Sequence, residues 1–186
     1  MIQTNSILKI IKSTAENLNS DNFQSLVEDS SDIWIIMVYQ DTDETSRTFT
    51  GFFDEVAQQF PFIKFGRINY ASEQSLIARL PFKVQEIPFF LSWDKYGNSD
   101  FLEFDFDRDA KGPLTKFVRQ ALGKHYALPG ISSIKSELAN QKSSKPSVIF
   151  INRSWMPLSF SYLAYKFGSE MNVWSTNFGE HKEIYK

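Results

Sequence analysis

Apolar runs alternate with polar turns most clearly between residues 32 and 98. Ile33–Tyr39 is an unbroken run rich in β-branched and aromatic residues, which predicts a strand buried on both faces. Apolar residues then recur at spacings of three and four and predict one buried face of a helix. They are Phe49, Phe52, Phe53, Val56 and Phe60. Ile63–Tyr70 predicts a second strand, parallel to the first because a helix joins the two.

A proline introduces the next strand. Glu73–Leu80 predicts a short helix, and Val84–Trp93 is an apolar segment that contains the dipeptide Ile87-Pro88. Proline donates no hydrogen bond to a sheet, so we expect Pro88 to start its strand and to lead an edge of the sheet. The polar residues Asp94–Asn98 predict a hairpin turn.

The flanking segments extend this pattern. Asp100–Asp107 alternates between apolar and acidic residues, which predicts a half-buried edge strand. Lys111–Leu122 predicts a helix whose buried residues are Leu114, Phe117, Val118 and Leu122. Near the N-terminus, Leu18–Val27 predicts a helix capped by Ser20 or Asp21. Its residues Phe23, Leu26 and Val27 should turn towards the core.

The last third of the chain repeats part of the first. The pattern stops at residues 125–130, which include Leu128-Pro129-Gly130 and indicate a linker. Beyond it, Ile131–Gln141 predicts a helix, Pro146–Asn152 a strand, Pro157–Phe167 a helix and Asn172–Phe178 a strand. We therefore predict a first domain over residues 1–124, the linker, and a partial second unit over residues 131–186.

The order strand, helix, strand, helix, Ile-Pro strand, hairpin, strand and helix resembles that of thioredoxin. The resemblance implies an α/β three-layer fold with a central mixed sheet, a cis peptide bond before Pro88, and a partial second thioredoxin-like βαβ unit. Counting along the chain places Asp43-Glu44-Thr45-Ser46 where thioredoxins carry Cys-x-x-Cys. Thioredoxin's buried acid corresponds to Met37.

The chain contains no cysteine. Thiol-disulfide exchange requires a thiolate, so Asp43 and Ser46 cannot perform thioredoxin chemistry, and we expect a protein that is not an enzyme. An acidic residue at a helix start is a common cap for free N–H groups, and we interpret Asp43 in this way.

Composition narrows the function classes. Among 186 residues, 42% are hydrophobic and 18 are Phe, which indicates a globular protein with a bulky core. The formal net charge of −2, without long runs of one sign, argues against a nucleic-acid partner and against direct membrane contact. Asp105–Asp109 resembles the start of a calcium loop, but Ala110 and Lys116 stand where that loop needs Gly and Glu. We therefore expect neither a metal nor a cofactor.

A finer resemblance is carried by the second unit. Leu128-Pro129-Gly130, Lys145–Phe150 and Leu163–Lys166, together with a cysteine-poor thioredoxin-like domain, are similar to the region after the J domain in DnaJ homolog subfamily C member 16-type co-chaperones. The resemblance implies an accessory domain of a chaperone or folding factor, related to protein disulfide isomerases and located in the endoplasmic reticulum. No His-Pro-Asp tripeptide is present in the chain.

The candidate site is the groove that thioredoxin-like proteins use for extended polypeptide. The resemblance implies that the backbone of Ile87 pairs with a peptide strand, which is β-addition and needs no thiol. The expected peptide-binding residues are Asp43, Glu44, Ser46, Glu86, Ile87 and Pro88. The acidic turn favours a basic or neutral peptide. Two alternatives stay open: Pro88 serves the fold alone, or the domain is a structural part of a larger assembly without a ligand of its own.

Overall fold

The computed structural model describes residues 15–97, 99–102, 111–123, 145–152 and 157–177. The chain divides into two compact units, Met1–Phe117 and Val118–Lys186. The division falls inside a helix, so this helix belongs partly to each unit.

The first unit is built on a five-stranded mixed sheet. Its strands are β1 (Glu16–Leu18), β2 (Trp34–Tyr39), β3 (Lys64–Asn69), β4 (Phe89–Trp93) and β5 (Ser99–Leu102). They lie in the order β1-β3-β2-β4-β5. The first three are parallel, whereas β4 is antiparallel to β2 and β5 is antiparallel to β4. This arrangement confirms the predicted α/β fold with a central mixed sheet and the parallel pairing of β2 with β3.

The α-helices also follow the sequence pattern. They are α1 (Glu44–Gln59), α2 (Gln74–Ile77) and α3 (Lys111–Gly123), and a π-helical turn (Gln24–Glu28) precedes β2. In α3 the four residues predicted to be buried are all buried. The predicted edge strand is confirmed over Asp100–Leu102, which belong to the half-buried edge strand β5. The rest of the predicted strand and the calcium-loop resemblance fall on residues 103–110, which lie outside the described part of the chain.

Helix α1 covers one face of the sheet. The ring centroids of Phe49 and Phe53 lie 5.9 and 6.0 Å from that of Phe90 on β4, and Phe53 also meets Phe65 on β3 at 5.3 Å. Strand β2 beneath them is buried on both faces up to Val38, as its unbroken apolar run predicts. Met37 is completely buried.

The opposite face of the sheet carries a second apolar cluster. Its sheet residues include Ile36, Val38 and Leu91, and the π-helical turn and α2 cover them with Phe23, Val27 and Leu76, among others. Phe23 packs edge-on against Trp93 with centroids 5.6 Å apart. Helices therefore flank the sheet on both faces, which gives the predicted three layers.

The prediction for Leu18–Val27 was wrong in two respects. Leu18 ends β1, and neither Ser20 nor Asp21 caps a helix; instead the side-chain oxygen of Asn19 accepts hydrogen bonds from the N–H groups of Asp21 and Asn22. The backbone then forms a π-helical turn, in which Asp29 N–H donates to Gln24 C=O. A π-helical turn is wider than an α-helical one, so a residue three positions after Phe23 no longer lies on the same face as Phe23.

Leu26 shows the consequence of this wider turn. Phe23 and Val27 are buried as predicted, whereas Leu26 is 38% exposed.

The second unit contains a βαβ element. It consists of β6 (Ser147–Asn152), α4 (Leu158–Phe167) and β7 (Asn172–Asn177). The two strands are parallel, in register from Ser147 opposite Asn172 to Asn152 opposite Asn177. The predicted linker and the helix Ile131–Gln141 lie outside the described residues, so the proposed domain boundaries stay a prediction.

Candidate functional site

The candidate site lies where the end of β2 meets the start of β4. Val38 opposite Phe89 is the last pair of this antiparallel ladder. The peptide bond between Ile87 and Pro88 is cis, as the resemblance implied, and Pro88 directly precedes β4. Gln40 directly follows β2 at this same end of the ladder.

Gln40 also fixes the start of α1 at this position. Its C=O accepts from Asp43 N–H at 3.0 Å, and its N–H donates to the hydroxyl oxygen of Ser46 at 3.2 Å. The Asp43 carboxylate in turn accepts from Ser46 N–H, which confirms Asp43 as the N-cap of α1. The first turn of α1 is therefore anchored to Gln40, the residue that directly follows β2.

The six predicted site residues differ in their access to solvent. Glu44 and Glu86 are exposed, and Asp43 and Ile87 are half-buried. Pro88 is buried, and Ser46 has no exposed surface. Ser46 accordingly supports the site from inside through its hydrogen bond to Gln40. The surface that a ligand can reach consists of Asp43, Glu44, Glu86 and Ile87.

Ile87 presents an unpaired stretch of backbone. Among the residues that the structure describes, neither its N–H nor its C=O has a hydrogen-bond partner. Unpaired backbone groups next to a strand end can accept a further strand, because each residue offers one donor and one acceptor.

The structure places Pro88 differently from the expected edge. Strand β4 lies between β2 and β5, so its two long sides are already paired. The unpaired backbone groups belong instead to Ile87, which precedes β4 and lies outside its ladder with β2. The proline alone could not show that β4 lies inside the sheet, because proline is compatible both with an edge strand and with the start of any strand.

An aromatic cluster beside this position was not predicted. Phe89 stacks on Phe101 of β5 with centroids 5.7 Å apart, and Phe82 lies 4.9 Å from Phe101 and 6.5 Å from Phe89. All three rings are half-buried. Phe82 follows Pro81 in a segment without helical or strand periodicity, so the sequence offered no signal that would place it here.

Metal-binding and membrane-spanning features are absent from the described residues. Within them no three His, Cys, Asp or Glu side chains are grouped so that they could hold a metal ion. No helix among those residues has the length and apolar character needed to cross a bilayer.

The fold and this site define a class. A mixed sheet with helices on both faces, a cis-proline before β4 and a helix that begins directly after β2 constitute a thioredoxin-like fold. The site has this architecture without cysteine, since the helix begins with Asp43 as its cap.

Solved structures share this fold. The crystal structure of ERdj5 form II matches with a TM-score of 0.58 and 13% identity, over 94% of this chain and 24% of that one. The zinc-bound form of human ERp44 matches with a TM-score of 0.50 and 14% identity, over 92% of this chain and 48% of that one. The J-Trx1 fragment of ERdj5 matches with a TM-score of 0.50 and 17% identity, over 57% of this chain and 50% of the fragment.

These similarities establish the fold alone, because the sequence identities are low. This chain spans between a quarter and half of the length of these neighbours. No protein-family model matches the sequence, and no curated protein matches it either.

Proposed function

We propose that this chain is a non-catalytic, thioredoxin-like module that binds an extended polypeptide against the backbone of Ile87. The observation that carries the proposal is the unpaired N–H and C=O of Ile87 beside the cis-proline. A peptide strand can satisfy both groups by β-addition. No thiol is needed for this contact, and the chain has none.

The surroundings of Ile87 support a basic or neutral peptide. Glu44 is exposed in the first turn of α1, Glu86 is exposed in the segment before Pro88, and the carboxylate of Asp43 lies at the start of α1. Like charges repel across an interface, so an acidic peptide is disfavoured. These contacts are exposed to solvent, and we expect the preference to weaken as salt is added.

We further propose that the module is an accessory domain of a chaperone or folding factor of the endoplasmic reticulum. The support is the sequence resemblance to DnaJ-type co-chaperones and the shared fold with ERdj5 and ERp44. In a folding factor, a site that binds the peptide backbone would accept unfolded polypeptides of varied sequence, because each peptide strand offers the same N–H and C=O groups.

Replacing Ile87 with proline tests the binding site. The change removes the N–H group that a peptide would pair with, so we expect the affinity for a labelled basic peptide of about nine residues to fall about tenfold. Ile87→Val is the matched control, since it keeps the N–H group and a β-branched side chain. Fluorescence anisotropy measures the affinity, and circular dichroism shows whether each variant is folded.

The hydrogen bonds between Ile87 and the peptide can also be tested by changing the peptide. Methylating alternate backbone nitrogens of the peptide should weaken binding for one set of positions and not for the other, because only every second residue of a strand faces its partner. Equal affinity of wild type and Ile87→Pro, or an absence of binding to the wild type, would contradict the proposal. The latter result would favour a structural part of a larger assembly.

A further inference from the structure

The two sides of the candidate groove differ in chemistry. Successive residues of a strand point to opposite faces of the sheet. Phe90 lies on the face covered by α1, where it contacts Phe49 and Phe53. Phe89 therefore lies on the other face, where it packs against the cluster that contains Val38 and Leu91.

The side away from α1 is aromatic. Phe82, Phe89 and Phe101 form a half-buried group there, with Phe89 and Phe101 stacked at 5.7 Å. Half-buried rings leave part of their surface free to contact an apolar side chain, and such contacts between aromatic rings contribute about 0.5–1.5 kcal/mol beyond burial.

The side of α1 is acidic. The segment 40–47 joins β2 to the first turn of α1, and its charged residues are Asp41, Asp43, Glu44 and Arg47. Three acids against one base give this segment a net charge of −2. Asp41 accepts a hydrogen bond from the side chain of Asn69, and Glu44 is exposed in the first turn of α1.

We propose that the peptide recognised here alternates between basic and apolar or aromatic residues. A strand paired with Ile87 would direct successive side chains to opposite sides, towards the acidic start of α1 and towards the aromatic cluster. The inference rests on the proposed function and adds its specificity: the backbone of Ile87 supplies affinity, and the two sides select the pattern of side chains.

Two peptides of identical composition test this pattern. One alternates Lys and Phe along about nine residues, and the other carries the same residues in two blocks, so that charge and hydrophobicity are equal. We expect the alternating peptide to bind about tenfold more tightly, because several side-chain contacts of modest strength act together. A third peptide, alternating Glu and Phe, should bind more weakly than its Lys counterpart.

Variants of the chain test each side separately. Glu44→Lys should reduce the preference for Lys over Glu peptides about threefold, because an exposed charge pair is worth a few tenths of a kcal/mol to about 1 kcal/mol. Glu55→Lys is the matched control on the same helix, about 16 Å further along its axis. Phe82→Ala should weaken the alternating Lys and Phe peptide by a factor of about three to ten.

The outcomes separate the two proposals. Equal binding of alternating and block peptides, with Ile87→Pro still weakening both, would overturn the inferred pattern and leave the proposed function intact. If none of the peptides binds the folded wild type, the proposed function fails and the inferred pattern fails with it.

Discussion

Replacing Phe53 with alanine is expected to lower the free energy of unfolding by about 3–5 kcal/mol, because a large buried side chain is lost and a cavity remains. Phe53 has no exposed surface. Its ring meets Phe65 at 5.3 Å and Phe90 at 6.0 Å, and the guanidinium of Arg67 lies 5.8 Å above it. Phe53 thus joins α1 to both β3 and β4. Urea unfolding measures the change.

Phe52 provides the matched control on the same helix. It is half-buried and contacts Phe49 edge-on at 6.1 Å. Because Phe52→Ala removes less buried surface, we expect it to cost less than half as much as Phe53→Ala. A larger loss from Phe52→Ala would show that α1 packs on the sheet through a different face.

Two glycine-to-alanine substitutions should change stability in opposite directions. Gly66 lies on β3, between β1 and β2. A Cβ atom added to Gly66 would overlap the side chain of Leu18, because it would lie only 2.9 Å from the Cγ atom of Leu18. Leu18 is buried, so it cannot move into solvent. We expect Gly66→Ala to lower the free energy of unfolding by about 1–3 kcal/mol.

Gly51 is the opposite case. It lies inside α1 and is exposed, and a Cβ atom at this position would meet nothing within 4 Å. Gly51→Ala should therefore raise the free energy of unfolding by about 0.5–1 kcal/mol, because alanine is the better helix former.

A double variant identifies the cause of the Gly66 effect. If Leu18 is the obstacle, Leu18→Ala combined with Gly66→Ala should cost less than the sum of the two single changes. Additive costs, or a stabilising Gly66→Ala, would contradict the packing of β1 against β3. Chemical denaturation of all four proteins gives the coupling free energy.

The elements with strong periodicity were predictable from sequence. The continuous apolar run of β2 and the spacing of apolar residues in α1 each predict buried positions. The structure confirms these for β2 and for Phe49, Phe53 and Val56, whereas Phe52 is only half-buried. The cap at Asp43 was predictable because a carboxylate at this position can accept from the free N–H groups of the first turn.

The parts that depend on tertiary contacts were not predictable. A serine in the first turn of a helix can face either solvent or the sheet. Ser46 is buried, and its hydroxyl accepts a hydrogen bond from Gln40 N–H, which is a tertiary contact that the sequence does not show. The periodicity near Leu26 failed because a π-helical turn replaced an α-helix. The aromatic cluster joins Phe82 to Phe101, which are distant in sequence and share no pattern.

The chain contains no cysteine. Helix α1 begins with Asp43 as its cap, and Ser46 in its first turn accepts a hydrogen bond from Gln40. The position beside the cis-proline keeps its open backbone at Ile87. Binding without exchange chemistry is therefore the activity that we propose for this geometry.

Hydrogen exchange at the amide of Ile87 tests this claim most directly. NMR can follow this amide in the free protein and with a saturating basic peptide, and the amide of Leu91 within β4 serves as an internal reference. We predict rapid exchange at Ile87 in the free protein and strong protection in the complex, with Leu91 slow in both. Protection that appears elsewhere while Ile87 continues to exchange rapidly would contradict the account.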